Sequence, residues 1–471
     1  MTTSPPSART LAQLKAAHYV VRPVKVEVRS NLIGRLRRGE TLFPGVTGYD
    51  ETVVPQLTNA ILGHQDIILL GERGQAKSRI VRGLIGLLDE WTPTLAGAEI
   101  PENPFAPVTP LGRQIVAEAG DAAEIRWMHR SERYAEKLAT PDITIADLVG
   151  EVDPIKIAEG RYLSDELTLH YGLVPRVNRG IFAINELPDL AERIQVGLLN
   201  LLEERDVQIR GHRVRLDLDV FIVATANPED YTNRGRIITP LKDRFGSQIR
   251  THYPLEAATE VMIIRQEARP PSVGSITVTV PAYMELIVAS FSQLARASSQ
   301  VNQRSGVSVR LSVSNYEVMA ANALRRGLRL GETNVVPRVC DLDSFAASTG
   351  GKIEIEAMED GREGHVLREL VKAAVLTSYR DLVSPELTRD IVTAFEEGAV
   401  VHTGEDVPSV EQAALIEQIP ALKAAVLPLL AGDESPASIA SAVEFVLEGM
   451  HLSKRLNKDQ SAGSGGTYRS R

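Results

Sequence analysis

Three stretches of this 471-residue chain hold residue types that together can handle a phosphate ester. The first is Gly71-Glu72-Arg73-Gly74-Gln75-Ala76-Lys77-Ser78. A glycine-bearing turn lets successive backbone N–H groups face a phosphate, the lysine neutralises its β- and γ-oxygens, and the next hydroxyl can ligate Mg²⁺. Ala76 stands where such loops usually carry a second glycine. The second stretch is Gly180-Ile-Phe-Ala-Ile184, an apolar run that ends in Asn185-Glu186. Glu186 is the candidate general base that polarises the attacking water. Asn185 occupies the place near Mg²⁺ where an aspartate is usual, and its amide is neutral. The bland alternative is that Asn185-Glu186 only caps the following helix. The third stretch, Val220-Phe-Ile-Val-Ala-Thr225, leads to Ala226-Asn227-Pro228 and puts an amide within reach of a γ-phosphate or lytic water. Arg244, in Pro240–Phe245, and Arg310, after Val309, are candidate guanidinium groups for charge that develops in hydrolysis. Spacing alone gives both an ordinary surface role with nearly equal weight.

These groups need elements to hold them. Asp66–Leu70 is a short apolar run ending at Gly71 and predicts a buried strand. Apolar spacing predicts helices over Glu51–Leu62, Ser78–Trp91 and Ala191–Glu204, with the Pro-rich Pro93–Pro110 read as an irregular insert. Buried strands at Gly180–Ile184 and Val220–Thr225 alternate with these helices. That order predicts an α/β fold with a parallel sheet covered on both faces. From Leu255 the pattern turns helical: Leu255–Arg269, Pro281–Arg296, Ser314–Leu330 and Val366–Leu382, interrupted by one strand at Thr349–Glu356. Val207–Leu216, turning at Gly211-His212, reads as a hairpin, and Ile155–Leu163 as a weaker one. The divisions expected are a basic arm 1–40, a nucleotide domain 41–254, a helical lid 255–350, an acidic helical region 351–453 and a disordered tail 454–471.

Composition limits the function classes. Of all residues 43% are hydrophobic and 24% charged, with a formal charge of −9, so nucleic-acid binding through bulk positive charge is not expected. The charge is uneven: residues 1–40 hold eight basic against two acidic side chains, and residues 351–450 seven against nineteen. Such a split fits head-to-tail contact between subunits, or simply solvated faces. No run approaches the apolar length of a membrane span, and Met1–Thr10 lacks the apolar core of a secretory signal. The single cysteine, Cys340, excludes an internal disulfide and fits a cytoplasmic protein with a buried thiol. The nine histidines show no ligand spacing, and Trp91 and Trp127 read as packing residues.

The motifs taken in order, GERGQAKS, GIFAINE, ATANP, LKDRF and SVR, resemble the AAA+ ATPases of the magnesium-chelatase and MoxR branch. LVGEVD (Leu148–Asp153) and PRVNRGIFAINE (Pro175–Glu186) resemble the chelatase subunit, whereas AKS and LLEERDVQIRG (Leu201–Gly211) look more like MoxR proteins. The resemblance covers about residues 40–330. It implies an AAA+ P-loop sheet followed by a helical lid, with ATP and Mg²⁺ as cofactors. It assigns Gly71–Ser78 to the Walker A loop, Glu186 to the Walker B acid and Asn185 to its metal-side neighbour. It also makes Asn227 the first sensor, Arg244 the finger reaching a neighbour's nucleotide, Arg310 the second sensor, and Val46 and Tyr49 part of the adenine pocket. A finger that reaches a neighbour implies a homo-oligomeric ring, expected to be a hexamer. The branch also implies a partner bearing a von Willebrand A domain. The leading expectation is therefore an ATP-fuelled motor that remodels a partner or inserts metal into it. A true magnesium chelatase, a DNA motor favoured by the basic arm, and a nucleotide-switched scaffold with little turnover are the alternatives. A sigma-54 activator would carry a GAFTGA loop, which this chain lacks.

Overall fold

The computed structural model describes residues 4–152, 169–204, 216–227, 236–302, 306–354, 362–460 and 465–471. The hairpin expected at 207–216 therefore lies almost wholly outside the described residues, and the one at 155–163 entirely so. The chain divides into two compact units, Met1–His252 and Tyr253–Arg471. Below, strands and those helices of six or more residues that bear on the site or the cores carry labels.

The first unit is built on five parallel strands: β1 Ile67–Leu70, β4 Tyr134–Leu138, β7 Gly180–Asn185, β8 Val220–Ala226 and β9 Ser247–Arg250. Their order across the sheet is β4-β7-β8-β1-β9. β8 is buried along its whole length and β7 up to Asn185, the near-continuous apolar reading of strands covered on both faces. In sequence, β2 Trp91–Leu95 and β3 Ile125–His129 form a separate antiparallel pair, as do β5 Gly150–Val152 and β6 Leu169–Tyr171. Helices α1 Leu11–Ala16, α2 Val24–Arg38, α3 Val53–Leu62, α4 Lys77–Gly83, α5 Pro110–Ala119, α6 Glu192–Glu204 and α7 Thr239–Arg244 complete this unit. The expected strands and the helix at 51–62 thus form within a residue or two of their predicted ends.

Three readings in this unit are corrected. The basic segment expected as an arm carries a packed helix. Val24, Val28 and Leu32 of α2 lie in one core with α3 and β1, and Glu27 forms a buried bidentate ion pair with Arg133, whose Nη1 and Nη2 both sit 2.7 Å from it. Arg29, Arg37 and Arg38 lie on the exposed side of this helix, whereas Lys25 pairs with buried Asp66, so net charge hid a helix that is apolar on one side. Next, the helix expected over Ser78–Trp91 ends at Gly83 and tightens into a 3₁₀ turn, Leu84–Leu87. Gly83 and Gly86 weaken helix propagation by about 1 kcal/mol each. α2 then takes up the freed carbonyls: Asn31 Nδ2 donates to Leu87 O and Arg35 Nη2 to Gly86 O. Finally, Pro93–Pro110 is not wholly irregular. Pro93 pairs opposite Trp127 in the two-stranded β2–β3 ladder, where an edge strand tolerates a missing N–H. Buried Glu102 then accepts from Val108 N and Thr109 N at the start of α5.

In the second unit, α8 Ala257–Glu267, α9 Ala282–Ala297, α10 Val309–Leu330, α11 Arg362–Leu382, α12 Arg389–Glu396 and α13 Pro436–Leu452 are the main helices. One core runs from Ile264 to Tyr468, so the expected lid and acidic region share it rather than forming separate domains. Phe345–Thr349 is a short helix, and among the described residues an isolated bridge, Gly350–Ile353, stands where a strand was expected at Thr349–Glu356, whose last two residues lie outside them. Gly351 turns the chain there with φ of 75°. After the pairs β10 Thr277–Val278 and β11 Asn334–Val335, a three-stranded antiparallel sheet is formed by β12 Val401–Thr403, β13 Asn457–Gln460 and β14 Gly466–Arg469. The tail expected to be disordered thus contributes two strands. Tyr468 makes the difference: it is fully buried and its hydroxyl donates to Glu448 Oε2. Low complexity around SAGSGG obscured that single anchor. Cys340 is buried as expected. Among the described residues, no helix is long and apolar enough to cross a membrane.

Candidate nucleotide-binding site

Gly71 through Ala76 connect the carboxyl end of β1 to the first turn of α4. A Cβ on Gly71 would overlap Thr251 Oγ1 and Gln75 Oε1, so only glycine lets the loop pass there. Gln75 Oε1 accepts from Glu72 N at 3.0 Å and from Thr251 Oγ1 at 2.7 Å, pinning the loop to the residue after β9. Gly74 turns at φ 77°, and Ala76 sits at φ 55°, ψ 13°. Position 76 thus needs the left-handed conformation that glycine adopts freely, and alanine meets the requirement under strain. Arg73 and Ser78 are exposed, Ser78 on the first turn of α4.

Lys77 is buried, at 7% exposure, and its Nζ donates to Gly71 O, to Glu72 O at 2.9 Å and to Asn227 Oδ1. Asn227 in turn donates from Nδ2 to Glu186 Oε2 at 2.6 Å. The lysine, the amide after β8 and the acid after β7 are therefore joined by direct hydrogen bonds, with β8 lying between β1 and β7. Glu186 itself has φ 55°, a strained conformation for a side-chain-bearing residue at the end of a strand. Its N–H donates to Thr225 Oγ1 at 3.2 Å.

Asn185 lies on the same edge. Its Oδ1 accepts from Thr225 Oγ1 at 3.2 Å and its Nδ2 donates to Glu136 Oε1, on the neighbouring strand β4. Glu136 also pairs with Arg82 of α4, Nε to Oε2 at 2.8 Å and Nη2 to Oε1 at 3.1 Å, and accepts from Tyr134 OH. Burial works against its charge, but Arg82, Tyr134 and Asn185 outweigh it and hold the carboxyl below its ordinary range. Neither Glu136 nor Arg82 was singled out from the sequence. In Tyr134-Ala-Glu-Lys-Leu138 each face mixes apolar and charged residues, so no periodicity reveals the strand or marks its glutamate as part of a site.

Val46 and Tyr49 precede α3. Val46 is half-buried against the core that contains β1 and α4, and Tyr49 is buried with its hydroxyl donating to Gln75 O at 3.0 Å and His252 O at 2.7 Å. Burial pushes the Tyr49 phenol up to about 12. Arg244 ends α7 and is exposed, while Leu241 of the same helix is buried. Arg310 is exposed in the first turn of α10, in the second unit. The structure therefore brings together Gly71–Ser78, Asn185, Glu186 and Asn227; Arg244 and Arg310 stand on surfaces.

The donors present suit a Mg²⁺-bound nucleotide. A turn with two left-handed residues and no room for a Cβ at Gly71 carries its N–H groups into helix α4, the arrangement that receives phosphate. Ser78, Asn185, Glu186 and Glu136 are hard oxygen donors of the kind Mg²⁺ prefers.

A parallel sheet in this order, with a glycine-bearing loop between its first strand and the next helix and an acid and an amide after the two neighbouring strands, is an α/β phosphate-loop architecture. In sequence the chain is similar to magnesium-chelatase subunits. It is 28% identical over 234 residues to the magnesium-chelatase subunit ChlI of Nostoc sp., covering 48% of this chain and 58% of that protein. It is 27% identical over 232 residues to the magnesium-chelatase 38 kDa subunit of Cereibacter sphaeroides, covering 47% and 62%. The chain thus spans about three-fifths of the length of these relatives. The model of the sigma-54 interaction domain family matches residues 159–244. Among solved structures, a magnesium-chelatase BchI–BchD assembly aligns with TM-score 0.35 at 18% identity, covering 70% of this chain and 98% of that one. NtrX of Brucella abortus aligns with TM-score 0.39 at 14% identity, covering 74% and 67%. Scores this low do not equate the chains as wholes.

Proposed function

We propose that this chain is the ATP-hydrolysing subunit of a homo-oligomeric ring, a hexamer, that uses turnover to remodel a partner protein or insert metal into it. The observation that supports this best is the hydrogen-bonded series Lys77–Asn227–Glu186 at the carboxyl edge of the sheet. In this reading the Gly71–Ser78 backbone and Lys77 bind the phosphates, and Val46 and Tyr49 border the adenine. Glu186 takes the proton of the attacking water, and Asn227 holds Glu186 and the γ-phosphate in register. Ser78 and Asn185 would hold Mg²⁺, which would neutralise part of the phosphate charge. Arg244 serves the neighbouring subunit's nucleotide, and Arg310 senses nucleotide from the helical unit. A cytoplasmic setting and a von Willebrand A domain partner complete the proposal.

The direct test is ATP turnover by wild type and Glu186→Gln. Removing a general base lowers the rate by about 10²–10⁴-fold, while nucleotide binding persists. Wild type no faster than the variant would end the hydrolase reading and leave a nucleotide-switched scaffold. Affinity capture with ATP-loaded Glu186→Gln then addresses the partner.

A second reading, the ATPase subunit of a magnesium chelatase, is favoured by the sequence similarity to magnesium-chelatase subunits. Recovery of a large porphyrin-binding subunit in that capture would select it, and recovery of a von Willebrand A protein alone would select the remodelling motor.

A further inference from the structure

Asn185 is neutral where the Mg²⁺ side of such a site ordinarily carries a carboxylate, yet a carboxylate is in direct contact with it. Glu136 is placed by β4, which runs parallel to β7 with Glu136 opposite Ala183 and Leu138 opposite Asn185. Its side chain rises along that edge to accept from Asn185 Nδ2. An aspartate at 185 could not make this contact, because two ionised carboxylates at hydrogen-bonding distance repel and one must take up a proton. The amide at 185 and the acid at 136 therefore fit each other.

The helix side of the site agrees. Ser78 and Arg82 are four residues apart on α4 and so share a face. Arg82 bonds Glu136 through both Nε and Nη2, which sets the acid against the face of α4 that carries the Ser78 hydroxyl. Glu136 is only partly buried and has Asn185, Arg82 and Tyr134 OH as hydrogen-bond partners.

We propose that Glu136, from the neighbouring strand, supplies the negative charge toward the nucleotide's divalent cation that Asn185 does not, and that Asn185 is the positioning residue that holds it there. The inference rests on the nucleotide reading above. It makes the acid–amide pair a transposed version of one acid, so exchanging the two chemistries should preserve function where removing either does not.

The test is the affinity of a fluorescent ATP analogue for the full chain, measured with and without Mg²⁺. Glu136→Gln should lose about 10-fold of the Mg²⁺-dependent gain in affinity, with Mg²⁺-free binding unchanged as the control for folding. The double variant Glu136→Gln/Asn185→Asp should regain most of that gain. Arg82→Gln separates this role from a merely structural ion pair: it removes the pair but keeps the acid, so the Mg²⁺ effect should persist. The proposal is overturned if Glu136→Gln keeps the wild-type Mg²⁺ dependence, if Arg82→Gln loses it equally, or if the double variant recovers nothing. A wild-type chain that binds no nucleotide with or without Mg²⁺ would instead remove the nucleotide reading beneath it.

Discussion

Ala76 shows how one residue can satisfy a loop's geometry at a cost in strain. Its φ of 55° places a Cβ where L-residues lose about 1–2 kcal/mol. Ala76→Gly relieves that, offset by about 0.4–1 kcal/mol from a freer unfolded chain. The expected outcome is a gain of roughly 0.5–1 kcal/mol, read as a higher midpoint in urea unfolding of the full chain; a loss would mean that the alanine methyl contributes packing. Tyr49 offers a second measurement. Its phenol titrates near 12 when folded against about 10 when unfolded, chiefly through burial. The folded state therefore holds this proton more tightly, and the contribution is complete below about pH 10. It falls as pH rises from about 10 to about 12 and then levels off. The stability difference between wild type and Tyr49→Phe should shrink over that window, by on the order of 2 kcal/mol in alkaline urea titrations; a constant difference would refute the burial argument. At this scale the sequence was informative where chemistry and spacing coincide. Lys77, Glu186 and Asn227 follow apolar runs that could only be strands. Glu136 escaped notice because its role depends on which strand lies beside β7, a fact of pairing rather than of spacing.

Helices that sit outside the recognised motifs do much of the positioning. α2 reads as basic from its composition, yet its apolar face packs with β1 and α3, and Glu27 enters the interior to meet Arg133. Arg133 also donates to Thr92 Oγ1 and Arg179 O, tying α2 to the sheet region through one guanidinium. Removing one partner of such a pair strands the other charge, at about 3–5 kcal/mol. Glu27→Ala should therefore lower the unfolding free energy by that amount, whereas Glu40→Ala, at the exposed end of the same segment, should leave it nearly unchanged. Comparable effects from the two would show that α2 is dispensable. In the second unit, a Cβ on Gly449 of α13 would lie inside the Tyr379 ring of α11. Gly449→Ala forces these helices apart and should destabilise by about 1–3 kcal/mol in the same measurement. Periodicity located both α11 and the elements around the nucleotide loop. It could not show that regions expected as lid, acidic segment and tail share one core, because that depends on long-range contacts of residues such as Tyr468.

The placement of Arg244 carries the argument to the whole molecule. It ends α7 on the surface of the unit that also holds Lys77 and Glu186, and in the proposed ring it serves the neighbouring subunit's nucleotide. A ring of head-to-tail contacts presents each such residue to the next site around. The uneven charge along the chain, basic over 1–40 and acidic over 351–450, is compatible with subunits meeting through unlike surfaces. Arg244→Ala subunits keep their own acid but offer no guanidinium; Glu186→Gln subunits offer the guanidinium but lack their own acid. Each alone should be inactive while binding ATP. Mixed in equal amounts with exchange of subunits, about a quarter of the interfaces pair an intact acid with an intact arginine, so ATP turnover should return to roughly that fraction of wild type. A monomer, or a ring whose sites are complete within one chain, gives no recovery on mixing, and that result would remove Arg244 from the proposed mechanism.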